Sequence, residues 1–204
     1  MATVKVWDIA VRVFHWSLLI AFVTAYLSGE ENEFVHTYAG YIVLGLVVFR
    51  VPWGVIGSRH ARFADFVYSP TKILAYTRTL ASGSPQRYLG HNPLGGAMVV
   101  ALLISLSLTC LSGLEAYAVE GKGPLTTAPS RVMSAASHAD SERRTGAEHK
   151  HGDNEGEGLW EEIHEFCVNI TLGLVILHIA GVGLGSLLHK EKLVQAMITG
   201  RKEQ

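Results

Sequence analysis

Marking every Asp, Glu, Lys and Arg leaves four long stretches of sequence that carry none of them. They are Val13–Gly29 (17 residues), Phe34–Phe49 (16, resuming after Arg50), Tyr88–Leu114 (27) and Phe166–His189 (24). A helix needs about 20 mainly apolar residues to cross the hydrocarbon layer of a bilayer. The first two stretches reach that length once Arg12 and the Val51–Ile56 tail are included. Each is far longer than a buried strand of about 4–8 residues. In lipid the backbone must satisfy its own hydrogen bonds, so a helix is the form such a stretch takes. The sequence therefore predicts an all-α integral membrane protein, one domain over residues 1–204, with spans at roughly 11–29, 35–57, 93–115 and 162–188.

Composition agrees and excludes other classes. Charged residues make up 17%, against roughly 25% in an ordinary soluble protein, and apolar residues 49%. A net charge of -1 offers no basic field for nucleic acid. Two cysteines exclude a disulfide scaffold or a zinc-finger array, and without a CxxCH motif a covalently attached c-type haem is excluded too. The first stretch follows Lys5 and Arg12 as a signal peptide would. Its aromatics (Phe14, Trp16, Phe22, Tyr26) and the following Ser28-Gly29-Glu30-Glu31 do not resemble a small-residue cleavage site, so it reads as a retained span.

Orientation follows from the basic residues. The N-terminus has two (Lys5, Arg12), the second connection six (Arg50, Arg59, Arg62, Lys72, Arg78, Arg87) and the C-terminal tail four (Lys190, Lys192, Arg201, Lys202), twelve of the seventeen in the chain. The other side has Glu30, Glu31 and Glu33 in a short turn, and ten acidic against five basic residues between Glu115 and Glu162. The positive-inside rule then predicts a multi-pass protein of the cytoplasmic (inner) membrane with both termini in the cytoplasm. In the connection 58–90, Ser69-Pro70 starts a helix well, and Ile73, Tyr76 and Leu80 beside Lys72 and Arg78 suggest a short amphipathic helix on the inner surface. The outer connection 118–160, rich in Ser, Ala, Gly, Glu and His, reads as a mobile loop.

Ionisable side chains within membrane spans are rare and mark function by default. Here they are chiefly histidines: His15 in the first span, His36 at the start of the second, His164 and His178 in the fourth. Topology puts His15 and His178 towards the cytoplasm, and His36 and His164 near the outer face. Fourteen residues separate His164 from His178, roughly 21 Å along a helix and only about 40° around it. Both then face one bundle interior, His178 opposite His15 and His164 opposite His36. Two opposed neutral imidazoles are what a six-coordinate b-type haem iron requires, and two stacked haems would carry electrons between the faces of the bilayer. Against this stand satisfied core histidines, a proton pathway through the same residues, and zinc, for which a pair of histidines per level lacks the four ligands of a structural site. Gly40, Gly45, Gly173, Gly181, Gly183 and Gly185 suit either a flat macrocycle close to the helix or tight helix–helix packing.

The segments Val6-Trp7-Asp8, Arg12-Val13-Phe14-His15-Trp16, His36-Thr37-Tyr38-Ala39-Gly40-Tyr41, Arg50-Val51-Pro52-Trp53-Gly54, Gly90-His91-Asn92-Pro93-Leu94-Gly95, Ile163-His164-Glu165, His178-Ile179-Ala180-Gly181-Val182 and Ala196-Met197-Ile198-Thr199-Gly200-Arg201-Lys202 together form a pattern. It resembles the prokaryotic cytochrome b561 family, which includes the b-type cytochrome subunits of Ni,Fe-hydrogenases. Only residues 118–158 fall outside the resemblance. It implies a four-transmembrane-helix bundle with two non-covalent haems b. Electrons would pass between quinone or quinol and a redox partner, either a periplasmic cytochrome c or a dehydrogenase or hydrogenase subunit. Ligands in that family come from the first, second and fourth helices, onto which the four histidines map: His15 and His178 for the inner haem, His36 and His164 for the outer. Two further roles stay open on the same resemblance, a superoxide-oxidising, quinone-reducing enzyme and a haem-containing anchor of a hydrogenase-type complex.

Other residues carry two readings each. Arg12 neutralises a propionate of the inner haem by a charge-assisted bond, or simply sets topology; Arg50 shares the ambiguity. His91 contacts a propionate or a quinone, or else caps the third span or bonds locally. Trp7, Trp16, Trp53 and Trp160 read as interfacial anchors in contact with membrane lipid. Cys110 and Cys167 form a disulfide or remain free thiols. His149-Lys150-His151 binds a stray metal or is a solvated tract. The acidic outer connection offers a lysine-rich partner electrostatic steering.

Overall fold

The structure is a computed structural model that describes residues 3–83, 85–127 and 152–203. Four of its helices are long and apolar enough to cross a membrane. Two compact units divide the chain, one formed by Met1–Leu106 with Leu172–Gln204 and the other by Ser107–Thr171.

In the first unit a three-residue strand, β1 (Thr3–Lys5), leads into α1 (Ile9–Ser28). Asp8 is the N-cap, its carboxylate accepting the backbone N–H of Val11 at 2.8 Å, which satisfies one of the donors a helix start leaves open. Asn32 caps α2 (Glu33–Ile56) in the same way through the N–H of Val35. Only Gly29–Asn32 separate the two helices, which pack against each other as a helical hairpin. Their outward faces stay apolar: Ile20, Leu27, Val48 and Val55 are all exposed, as a hydrocarbon environment allows.

After α2 a single turn, α3 (Phe63–Phe66), lays the Phe63 ring where a side chain at Gly54 would stand. The next helix, α4 (Pro70–Ala81), begins with Pro70 in its first turn. Ser69 holds the N-cap position but makes no capping bond, because its hydroxyl lies 3.0 Å from that of Thr71. α5 (Pro93–Val119) is started by Asn92, whose side chain accepts the N–H of Gly95 at 2.7 Å. The long last span is α6 (Gly152–His189), starting ten residues before the onset expected from charge, since the Glu-rich first turns continue the helix.

A short helix, α7 (Leu193–Thr199), ends at Gly200 with φ 79°, a left-handed conformation that glycine adopts at little cost. The Gly200 carbonyl accepts the N–H groups of Val6 and Trp7. β2 (Arg201–Glu203) then pairs antiparallel with β1, Val4 opposite Lys202. Val6, Trp7, Val11, Ala61 and Ala196 form a buried cluster with Trp53 and Met197 packed on it. Trp7 and Trp53 are thus not lipid-facing anchors: Trp7 is 8% exposed, and the Trp53 indole donates to Asp8 at 3.3 Å.

In the second unit the end of α5 meets the start of α6. The hydroxyls of Thr109 and Thr171 are 3.0 Å apart, and Thr171 also donates to the carbonyl of Cys167. Cys110 and Cys167 are free thiols. The expected loop overlaps a single 3-10 turn at Pro124–Thr127 and the first turns of α6. The rest of that expectation, with His149-Lys150-His151, lies outside the described residues.

Candidate functional site

Three of the four histidines belong to the first unit. α1 and α6 bring His15 and His178 together with ring centres 6.4 Å apart and planes at 55°. Two imidazoles bonded at about 2 Å on opposite faces of one metal ion have their ring centres roughly 6 Å apart. Trp16 meets the His15 ring edge-on at 5.3 Å. The Nδ1 of His15 is enclosed and has no hydrogen-bond partner among the described residues.

His36, at the end of the first turn of α2, is held differently. Its Nδ1 lies 2.8 Å from the carbonyl oxygen of Ala25 on α1. A carbonyl only accepts, so Nδ1 carries the proton and the ring's lone pair sits on Nε2. His164, in the second unit, has the same arrangement: Nδ1 is 3.0 Å from the carbonyl of Thr109 and 3.2 Å from the Ser112 hydroxyl, both on α5. Gly113 makes this possible, since a Cβ there would stand 2.8 Å from Cε1 of the ring. Metal-ligating histidines characteristically donate their other ring N–H to a carbonyl or carboxylate, which fixes tautomer and orientation. Thr109, Ser112 and Gly113 surround the His164 ring and were not singled out by the sequence reading. The available signal was their clustering as small and polar residues within one turn of an otherwise apolar helix.

At Gly40, Gly45, Gly173, Gly181 and Gly183 an added Cβ meets nothing within 4 Å, so tight helix–helix packing does not explain these five. At Gly185 it meets Leu193 at 3.3 Å.

The remaining candidates sit near the chain termini. Arg12 donates through Nη2 to the carbonyl of Ile198 at the end of α7, where the helix dipole favours a cation. His91 does not cap α5, because Asn92 does. Its ring instead packs against Trp7 at 4.7 Å and Phe66 at 4.6 Å, with an enclosed, unpartnered Nδ1. Burial, and then the charge of Arg50, pull the His91 pKa down to about 3, so the ring is neutral at pH 7. Arg50 is a buried cation, 3% exposed, whose Nη2 donates to the carbonyl of Ala61 at 2.9 Å while Nη1 has no partner.

Oriented imidazoles on apolar helices are the kind of donor set that a membrane cytochrome would use. Prokaryotic cytochrome b561 is the family that matches residues 6–200, nearly the whole chain, and the chain belongs to it. Membership implies haem b, and with four apolar helices it makes the chain a multi-pass membrane protein.

Among curated relatives, the chain is similar to proteins named probable Ni/Fe-hydrogenase B-type cytochrome subunit. One from Bradyrhizobium diazoefficiens is 28% identical over 59% of this chain and 60% of its own length. Those of Azotobacter vinelandii and Azotobacter chroococcum are 28% and 29% identical over 59% of this chain and 61% of theirs. The matched region thus spans about three fifths of these relatives. No solved structure matches the chain.

Proposed function

We propose that the chain is a di-haem b-type cytochrome that moves electrons across the cytoplasmic membrane, between the quinone pool and a periplasmic redox partner. His15 and His178 would hold one haem, on the cytoplasmic side, and His36 and His164 the other, on the outer side. Each haem, when bound, supplies one-electron redox chemistry at its iron, and the protein supplies ligation, orientation and electrostatics.

The observation that carries the reading is the His15–His178 pair, with its ring separation of 6.4 Å inside apolar helices. The Nδ1–carbonyl bonds of His36 and His164 add to it, because they fix the ring orientation and leave Nε2 as the atom for metal ligation. Gly40, four residues after His36, and Gly181, three after His178, leave open space beside their helices that a flat macrocycle would use. The termini, both in the basic part of the sequence, belong on the cytoplasmic side by the positive-inside rule.

A reduced-minus-oxidised spectrum with a pyridine haemochrome titration of the detergent-purified chain tests this directly. The expected result is about two haems b per chain, falling to about one in His178→Ala with the second haem's spectrum unchanged. Both haems persisting in His178→Ala would sink the pairing.

The names of the relatives favour one partner class, a Ni/Fe-hydrogenase, for which the chain would be the membrane-bound electron acceptor and anchor. Co-purification in mild detergent, followed by haem reduction under hydrogen, checks that assignment. Reduction by cytochrome c alone would instead favour a freely diffusing partner.

A further inference from the structure

We propose that Arg50 and His91 form a buried carboxylate-binding pair that holds a propionate of the haem between His15 and His178. The proposal rests on the two-haem reading above and names residues that the ligand set does not include.

Arg50 projects from α2 into an enclosure made by the rings of Phe63, 5.0 Å from the guanidinium carbon, and Phe66, 5.9 Å from it. It is 3% exposed, and no ion pair to it occurs among the described residues. Among the described residues the one acid whose charge bears on it, Asp8, forms no ion pair with it and has its oxygens engaged by the Val11 N–H, the Trp53 indole and the Ser58 hydroxyl. A guanidinium always keeps its proton, and a buried cation without a counter-charge is strongly disfavoured. One donor, Nη2, has the Ala61 carbonyl, and Nη1 is left over.

The second orphan is the Nδ1 of His91. His91 stands against the same Phe66 ring, and both Arg50 and His178 are close enough to bear on its charge. Two enclosed polar atoms on neighbouring side chains, beside one of the paired histidines, call for an acceptor that both can reach. An anionic carboxylate accepts from a guanidinium and from a neutral imidazole N–H together. Arg12 also has an enclosed Nε with no partner among the described residues, but its side chain is only half-buried and its guanidinium ends α7 through the Ile198 carbonyl, so it needs a counter-charge less than Arg50 does.

Carboxylate chemistry has two sources here: the haem's own propionate, or a small acid or phosphate entering from solvent. Phe66 and His91 also line a cleft of about 300 Å³ edged by Arg59, His60 and Arg87, through which such an anion would come. Covalent attachment to a ligated macrocycle gives the propionate the higher local concentration, so it is the occupant we assign.

The test uses the full chain with both haems, purified in detergent, with haem labelled with carbon-13 at the propionate carboxyls. In Arg50→Gln the redox equilibrium of the haem that His178→Ala removes should shift about tenfold towards the oxidised form, 59 mV for one electron. The other haem should stay put, and the labelled carboxylate bands in the redox infrared difference spectrum should move. His91→Gln should move the same bands less, and Arg50→Lys should restore most of the potential. Unmoved bands and potential in Arg50→Gln overturn the proposal. So do silent labelled bands together with a wild-type potential that responds to added phosphate or acetate, which would put a solvent anion in the site. Should Arg50→Gln lose the haem, Arg50→Lys and His91→Gln carry the same readout, and unmoved bands in both overturn it. A wild-type haem count below two would instead overturn the two-haem function on which this assignment rests.

Discussion

His15 and His178 differ from His36 and His164 in what holds them. His36 and His164 each give an Nδ1 proton to a backbone carbonyl on a neighbouring helix, Ala25 and Thr109 respectively. His15 and His178 face each other at 6.4 Å, and the enclosed Nδ1 of His15 has no partner among the described residues. The carbonyl-bonded rings are oriented by the polypeptide before anything binds. The facing rings depend on aromatic packing and on whatever lies between them. Outer-sphere carbonyl bonds also raise imidazole basicity, so the haem proposed for His36 and His164 should have the lower potential of the two.

The largest predicted break in this contrast comes from Gly113→Val. A Cβ at position 113 would stand 2.8 Å from the His164 ring, and valine adds two methyls to it. The ring cannot keep both its place and its bond to Thr109. The expected outcome is loss of one haem, about half the total haemochrome, with the His15–His178 haem retained. Loss of both, or of neither, would show that Gly113 does not serve His164 specifically.

Ser112→Ala is gentler. The Thr109 carbonyl remains to take the Nδ1 proton, and only the 3.2 Å hydroxyl contact goes. Removing outer-sphere partners typically costs about 10–100-fold in metal affinity, and the lower end is expected here because the main acceptor stays. Competition with apo-myoglobin, measuring the release rate of each haem, reads the effect. Equal release rates for both haems in wild type would mean that the carbonyl bonds confer no advantage.

These residues also mark where the sequence was legible. Four spans are visible because removing charge over about 20 residues is a requirement of the bilayer, independent of what packs on what. The histidines are visible for the same reason, as polar groups that lipid does not tolerate without cause. Packing partners leave no such trace. Trp7 and Trp53 look like interfacial anchors by position, yet the pairing of the termini through Gly200 encloses them around Asp8. Arg50 reads from sequence as either a propionate partner or a topology-setting cation, and its burial under Phe63 and Phe66 leaves no trace there. The early start of α6 was hidden because Glu-rich turns extend a helix beyond the stretch that charge alone delimits. Thr109 and Ser112 escaped because one serine or threonine in an apolar helix commonly bonds its own backbone, as both Ser112 and Thr171 also do here.

The smallest effect should appear around Glu191, which ties down the C-terminal segment that packs beside α1. Its oxygens meet Arg87 at 2.5 Å and the buried Lys202 at 2.9 Å. Burial alone would raise its pKa, but the bonds from Arg87 and Lys202 outweigh burial and hold the carboxyl below its ordinary 4.5. A depressed folded-state value means the carboxylate's contribution is complete above the unfolded value. It is then lost as pH falls through the folded one. Glu191→Gln should therefore lower the thermal midpoint at pH 6 and make little difference well below pH 4. The expected shift is about 2 °C, the low end for a domain of this size because Arg87 is half exposed. If the segment braces His15 and His178 but not His164, the haem assigned to the facing pair should dissociate first on heating the variant. Simultaneous loss of both haems would mean that the carbonyl-anchored histidines hold theirs no more independently than the facing pair does.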